Sequence, residues 1–176
     1  MKIINLAVLR SMVILAGLVW VWFPISPTSA ETAVTLDLKV RDYEVSSVPL
    51  PAGDEEGHFI GVSQREGEAV SSHAGKAKYS TVFTFESRRG QVVRSKGYAK
   101  LSYDDGSWIS LDWSSETSAK MDGLLSTRGH GTIIKGGGRF KGIIGGAVFS
   151  GKELRPVSQD PKRTMDMNLT LFYKLP

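Results

Sequence analysis

Apolar and polar residues alternate with a period of two over most of the chain beyond residue 30, and glycines and turn residues interrupt the alternation. Successive side chains of a strand point to opposite faces, so this pattern predicts half-buried β-strands. Val34, Leu36, Leu38 and Val40 alternate with Thr35, Asp37 and Lys39. Tyr79, Thr81, Phe83 and Phe85 share one face of a strand; Val93, Gly97, Ala99, Leu101 and Tyr103 share one face of the next, opposite Arg94, Lys96 and Lys100. Asp104-Asp105-Gly106-Ser107 is a tight-turn sequence, with glycine for the positive φ. After it, Ile109, Leu111 and Trp113 fall on one face, and Trp108, Asp112 and Glu116 on the other. Met165, Met167, Leu169, Leu171 and Tyr173 alternate near the end.

Eight strands are expected, near 33–40, 57–65, 77–87, 91–103, 107–118, 124–135, 140–151 and 164–173. The segments 46–56 and 152–162 carry two prolines each and are expected to be the long loops. No window after residue 30 has the periodicity and caps of an amphipathic helix. The fold class is therefore all-β, and an even number of antiparallel strands closes most simply into a barrel. An eight-stranded antiparallel barrel leaves no exposed strand edge, and its interior holds packed side chains or one small ligand.

Residues 129–146, GHGTIIKGGGRFKGIIGG, hold eight glycines in eighteen positions. A phosphate loop of the GxxxxGK[ST] type needs Ser or Thr after its lysine, and Arg139-Phe140-Lys141-Gly142 follows the triple glycine instead. The GxGxxG fingerprint fails because Lys141 stands where its third glycine belongs. Nucleotide binding is thereby excluded. Strand-like sequence on both sides makes Gly136 to Arg139 a predicted hairpin, with its glycines at positions of positive φ. The remaining glycines fall within strands, where they mark bulges, coiling or the close approach of a large group.

Charge and cysteine content narrow the partners. Lys2 and Arg10 are the only charged residues before Glu31, and Met12 to Phe23 is an unbroken apolar run of twelve. Such a run suits a signal-peptide core and is shorter than the roughly 20 residues of a membrane span. Thr28 and Ala30 supply small residues for cleavage after Ala30. Residues 1–30 are expected to be a signal peptide, and 31–176 one domain, exported to the periplasm or secreted; retention as an anchor is the alternative. Losing Lys2 and Arg10 lowers the formal charge from +4 to +2, too little for a nucleic-acid partner. With no cysteine, the domain holds together by its core and uses no thiol chemistry.

GTIIKGGGRFKGIIGGAVFSG, with the preceding order of Tyr79–Phe85, Gly97–Tyr103, an Asp-Gly turn and Trp108–Trp113, resembles the allene oxide cyclase-like barrels over residues 57 to 152. That resemblance implies an eight-stranded antiparallel barrel of the architecture shared with the dirigent proteins, often trimeric. It also implies an activity that steers a reactive lipid epoxide or paired radicals without a cofactor. No catalytic motif of those proteins transfers to this chain residue by residue.

The remaining candidates for chemistry are few. His58, His73 and His130 are scattered, with no pair at metal-ligand spacing, and no metal site is expected. Asp54, Glu55 and Glu56 beside His58 read as a solvated acidic loop in preference to a cation site. Arg128 and His130 point the same way along a strand: inward they would form an anion site, outward they are ordinary surface residues, the favoured reading. Glu116 would be a general base if it faced the interior and is a solvated side chain if it does not, again the favoured reading. Tyr79, Phe83, Phe85, Trp113 and Tyr173 are expected to be core, or the lining of a ligand pocket together with Arg128 and His130. Asn168-Leu169-Thr170 matches a glycosylation pattern but falls inside a strand. Three functions follow in order: an exported barrel binding a small apolar ligand or a protein partner without catalysis, a structural homo-oligomer (trimer or dimer) of the cell envelope, and a cofactor-free isomerase or cyclase.

Overall fold

The computed structural model describes residues 33–89, 91–120 and 123–176. The expected signal segment, 1–30, lies outside the described residues. Eight strands follow one another in chain order: β1 Val34–Pro51, β2 His58–Ser71, β3 Gly75–Arg88, β4 Gln91–Tyr103, β5 Trp108–Ala119, β6 Leu125–Gly137, β7 Ile144–Glu153 and β8 Met165–Lys174. Each pairs antiparallel with its neighbour, and β8 returns to β1 from Val34↔Tyr173 to Asp42↔Met165, so the sheet is a closed barrel. The fold is all-β, an eight-stranded antiparallel barrel. Alternation along β1 shows why: Leu36, Leu38 and Val40 are buried while Asp37, Lys39 and Arg41 are exposed. Leu101, Ile109, Leu111, Leu169 and Leu171 meet them from the other strands and fill one half of the barrel.

Two local expectations need correction. The segment 46–56 is not a loop along its whole length, because β1 continues to Pro51. A bulge between Glu44 and Ser46 shifts the register, after which β1 pairs with β2 alone, from Ser46↔Gln64 to Pro51↔Phe59. Proline reads as a breaker because it lacks a donor. An unpaired edge needs none there, and Pro49 and Pro51 deny that edge to another strand.

The triple glycine is not a hairpin. Its first two members stay in β6, paired with β5 as Ile109↔Gly136 and Trp108↔Gly137. The chain then makes a 3-10 turn at Gly138–Phe140, and β7 begins only at Ile144, four residues later than expected. β6 and β7 pair from Thr132↔Gly146 onward. Of the three glycines only Gly138 has a positive φ, +63°. Gly137 is needed for space instead: a Cβ there would lie 2.6 Å from Trp108 Cε2.

The turn drives Phe140 and Ile143 into the barrel as a plug; both are buried. Phe140 packs on Tyr103 (centroids 5.3 Å apart) and on Tyr173 (6.3 Å). Arg139 locks the plug from outside, with its guanidinium 4.5 Å from the Tyr103 ring centroid and 3.2 Å from Asp105. It donates to the Ala74 carbonyl at 3.0 Å, and its backbone N–H donates to Ser107 Oγ at 3.1 Å. One residue thus ties together the β2–β3, β4–β5 and β6–β7 connections. Among the described residues, the opposite end of the barrel has no such plug.

Candidate ligand cavity

The half of the barrel away from the plug is hollow. Its inner wall is built of rows of cross-strand neighbours that mix aromatic residues with glycine, serine and alanine. One row runs Phe83, Gly97, Trp113, Gly131, Ala147 through β3 to β7. The next runs Gly61, Phe85, Ser95, Ser115, Gly129, Phe149 through β2 to β7. A Cβ on Gly61 would lie 2.5 Å from Phe85 Cζ, one on Gly97 2.7 Å from Phe83 Cα, and one on Gly129 2.8 Å from Phe149 Cε1. The rings of Phe85 and Phe149 therefore lie close over the backbone of Gly61 and Gly129, beside the lumen.

The cavity has a volume of about 110 Å³. Phe83 and Trp113 are 5.3 Å apart by ring centroids, and Trp113 meets Phe149 edge-on at 5.7 Å. Trp113 Nε1 donates to Thr81 Oγ1 at 3.0 Å, and that hydroxyl donates to the Tyr98 carbonyl at 2.9 Å. The indole is thus held in one orientation.

Facing this apolar wall is a buried ion pair. Asp42 is 3% exposed and Arg65 8%. Arg65 donates from Nε (2.9 Å) and Nη2 (2.7 Å) to Asp42 Oδ1, and from Nη2 to the Arg163 carbonyl at 2.6 Å. Burial raises the Asp42 carboxyl above its ordinary pKa, and the charge and hydrogen bond of Arg65 oppose that rise. Burial likewise raises the pKa of the neighbouring Tyr79 hydroxyl. Arg163 takes up a left-handed backbone conformation (φ +51°) that non-glycine residues rarely adopt. Its side chain donates to the buried Glu153 Oε1 at 3.0 and 2.9 Å, while Glu153 Oε2 accepts the Leu125 N–H at 3.0 Å. With Glu44 N–H donating to the Lys162 carbonyl at 2.7 Å, these bonds strap the β7–β8 connection across one side of the mouth.

The candidate residues separate cleanly. Tyr79, Phe83, Phe85 and Trp113 line the cavity. Tyr173 does not: it belongs to the plugged end, against Phe140. Arg128, His130 and Glu116 are exposed on the outer wall, where Glu116 is the cross-strand neighbour of Arg128 and His130 Nε2 lies 3.4 Å from Ser114 Oγ. Thr127, Gly129 and Gly131 occupy the inward phase of β6, so its even-numbered residues from Arg128 to Ile134 face water. The inward readings of Arg128, His130 and Glu116 are thereby corrected. Asp54, Glu55 and Glu56 are exposed, as a solvated loop requires, while the adjoining His58 is buried. Its Nδ1 is 2.5 Å from Asp54 Oδ1, and its Nε2 lies 3.3 Å from Glu86 Oε1 without hydrogen-bond geometry. Glu86 and Glu55 are both held by Arg88, at 2.8 and 2.9 Å, so the acidic residues already have cations.

Asp42, Arg65, Phe149 and Arg163 were not singled out by sequence. Asp42 had a readable signal: it continues the buried phase of Leu36, Leu38 and Val40, and a charge in such a phase needs a buried partner. Arg163 had none, since its role depends on a loop that folds back from β8.

No family model and no curated protein matches the sequence. Among solved structures, the barrel is similar to that of a pterocarpan synthase dirigent protein, with 14% identity, coverage of 88% of this chain and 98% of that one, and a TM-score of 0.47. It is also similar to a conserved protein of unknown function from Rhodopseudomonas palustris, with 10% identity, coverage of 80% and 98%, and a TM-score of 0.43.

Proposed function

We propose that the protein is an exported barrel that binds a small, largely apolar ligand carrying one hydrogen-bonding group, without transforming it. The observation that supports this reading is the hollow half-barrel, in which Phe83, Trp113 and Phe149 face the Asp42–Arg65 pair. A cavity of about 110 Å³ is below the size of drug-like pockets and close to the roughly 150 Å³ that accommodates benzene in an engineered core. The ligand class is therefore a single ring or a short chain, with its polar group toward Asp42 and Arg65.

Toluene and benzyl alcohol are suitable probes. Both are expected to bind by calorimetry and to change the fluorescence of Trp113, with benzyl alcohol the tighter of the two. Ser115→Phe would fill the lumen from the small side of its row and is expected to abolish binding at a stability cost of about 1–3 kcal/mol. Wild-type protein that takes up neither probe, and carries no retained small molecule in native mass spectrometry, would refute the reading.

Export rests on the apolar run Met12 to Phe23 and the small residues before Glu31. Protein recovered from the cell exterior or periplasm is expected to begin at Glu31 on N-terminal sequencing. Recovery of the intact chain from the cytosol would remove this part of the proposal.

A further inference from the structure

The charged groups at the cavity wall do not balance, and the imbalance narrows the ligand. Glu44 continues the inward phase of β1 two residues past Asp42, and both line the cavity. Arg65 stands directly across from Glu44 in the β1–β2 register, yet its guanidinium turns to Asp42. Its two bonds there, 2.9 and 2.7 Å, both end on Asp42 Oδ1, and no described donor meets Oδ2. Glu44 accepts from the Ser63 hydroxyl at 3.2 Å, and no described cation lies within ion-pair distance of it. Arg163, the other cation lining the cavity, is committed to Glu153 Oε1 at 3.0 and 2.9 Å. Lys162 gives Glu44 only its backbone carbonyl; its ammonium lies 5.1 Å from the ring centroid of the outward-facing Tyr43. Arg65 and Arg163 thus serve three carboxylates, Asp42, Glu44 and Glu153, and the wall keeps one negative charge.

Across the lumen stand Phe83, Phe85, Trp113 and Phe149. The face of an aromatic ring is electrostatically negative and attracts a cation, indole most strongly. Both walls therefore favour the same sign of charge. A neutral ligand would close the cavity over Glu44 without a counter-charge, which is costly. A carboxylate ligand would add a further negative charge beside Asp42 and Glu44. We propose, building on the ligand cavity argued above, that the ligand is a small amine bound as its ammonium ion. The nitrogen sits between Glu44 and Asp42 Oδ2, and the hydrocarbon part lies over Trp113 and its neighbouring rings. An ammonium group only donates, so it suits carboxylate oxygens that accept from nothing else. Such charge-assisted bonds are roughly twice as strong as neutral ones.

Toluene, benzyl alcohol, benzylamine and benzoate share one ring and differ in a single head group, so calorimetry with the four isolates the effect of charge. Benzylamine is expected to bind about tenfold more tightly than benzyl alcohol, the usual margin of a charged over a neutral hydrogen bond. Benzoate is expected to bind more weakly than either. Glu44→Gln keeps the shape of the side chain and removes its charge; it is expected to bring the ratio of benzylamine to benzyl alcohol affinity down to near unity. Toluene and benzyl alcohol that bind while benzylamine gains nothing would overturn this inference alone and leave the cavity reading standing. Benzoate as the tightest of the four would also overturn it, assigning the site to an anion held by Arg65, and so would a benzylamine preference untouched by Glu44→Gln. A cavity that takes up none of the four refutes the reading on which the inference rests, and the inference with it.

Discussion

Arg65→Ala is expected to destabilise the protein by about 3–5 kcal/mol, the usual cost of leaving one member of a buried ion pair alone. Asp42 would keep its buried position and lose both hydrogen bonds that oppose its desolvation. Its carboxyl, already raised by burial, would rise further and take up a proton in the folded state. The sign of the pH dependence follows. A carboxyl with a folded pKa above its unfolded value favours the folded state at low pH and loses that contribution as pH rises. The deficit of Arg65→Ala relative to wild type is therefore expected to shrink as pH is lowered toward the ordinary carboxylate range. Denaturant unfolding at several pH values checks this, and a deficit that grows on acidification would show that Asp42 is not the group left stranded. Replacing both partners, Asp42→Leu with Arg65→Met, is expected to be near neutral in stability, because neither charge is then left buried without the other. The same double variant should lose the preference for benzyl alcohol over toluene, which separates the pair's role in binding from its role in folding.

Phe140→Ala is expected to cost about 3–5 kcal/mol and to open the second end of the barrel. Phe140 is 4% exposed and packs against Tyr103 and Tyr173, so truncation removes the centre of the plug. Faster exchange of a bound probe and new binding of an apolar dye would mark a barrel open at both ends. A variant that is destabilised but exchanges ligand at the wild-type rate would show that Ile143 and Arg139 close that end without it.

Much of the architecture was legible residue by residue. Leu36, Leu38 and Val40, or Ile109 and Leu111, announce strands and their inward faces because the two-residue period is a property of the local backbone. The same logic anticipated Phe83, Phe85 and Trp113 as interior. It failed where meaning depends on a partner strand. Pro49 and Pro51 looked like loop residues, since nothing local reveals that one edge of β1 runs unpaired there. Gly136-Gly137-Gly138 looked like a turn, since local sequence cannot show that Gly137 makes room for Trp108.

The sequence by itself determined the class of the protein: eight strands, their inner faces, no cysteine to tie them, and a leading apolar segment suited to export. Those features rest on composition and short-range periodicity, which survive without knowledge of the fold. Only the tertiary structure decided that one half of the barrel is packed and the other hollow. That outcome depends on cross-strand register, which sets Phe83 beside Gly97, Phe85 beside Gly61 and Phe149 beside Gly129. Register also brings Asp42, Arg65 and Arg163, far apart in the chain, to one wall of the cavity. It leaves Arg128 and His130, neighbours of the glycine run and the most suggestive residues on paper, in solvent.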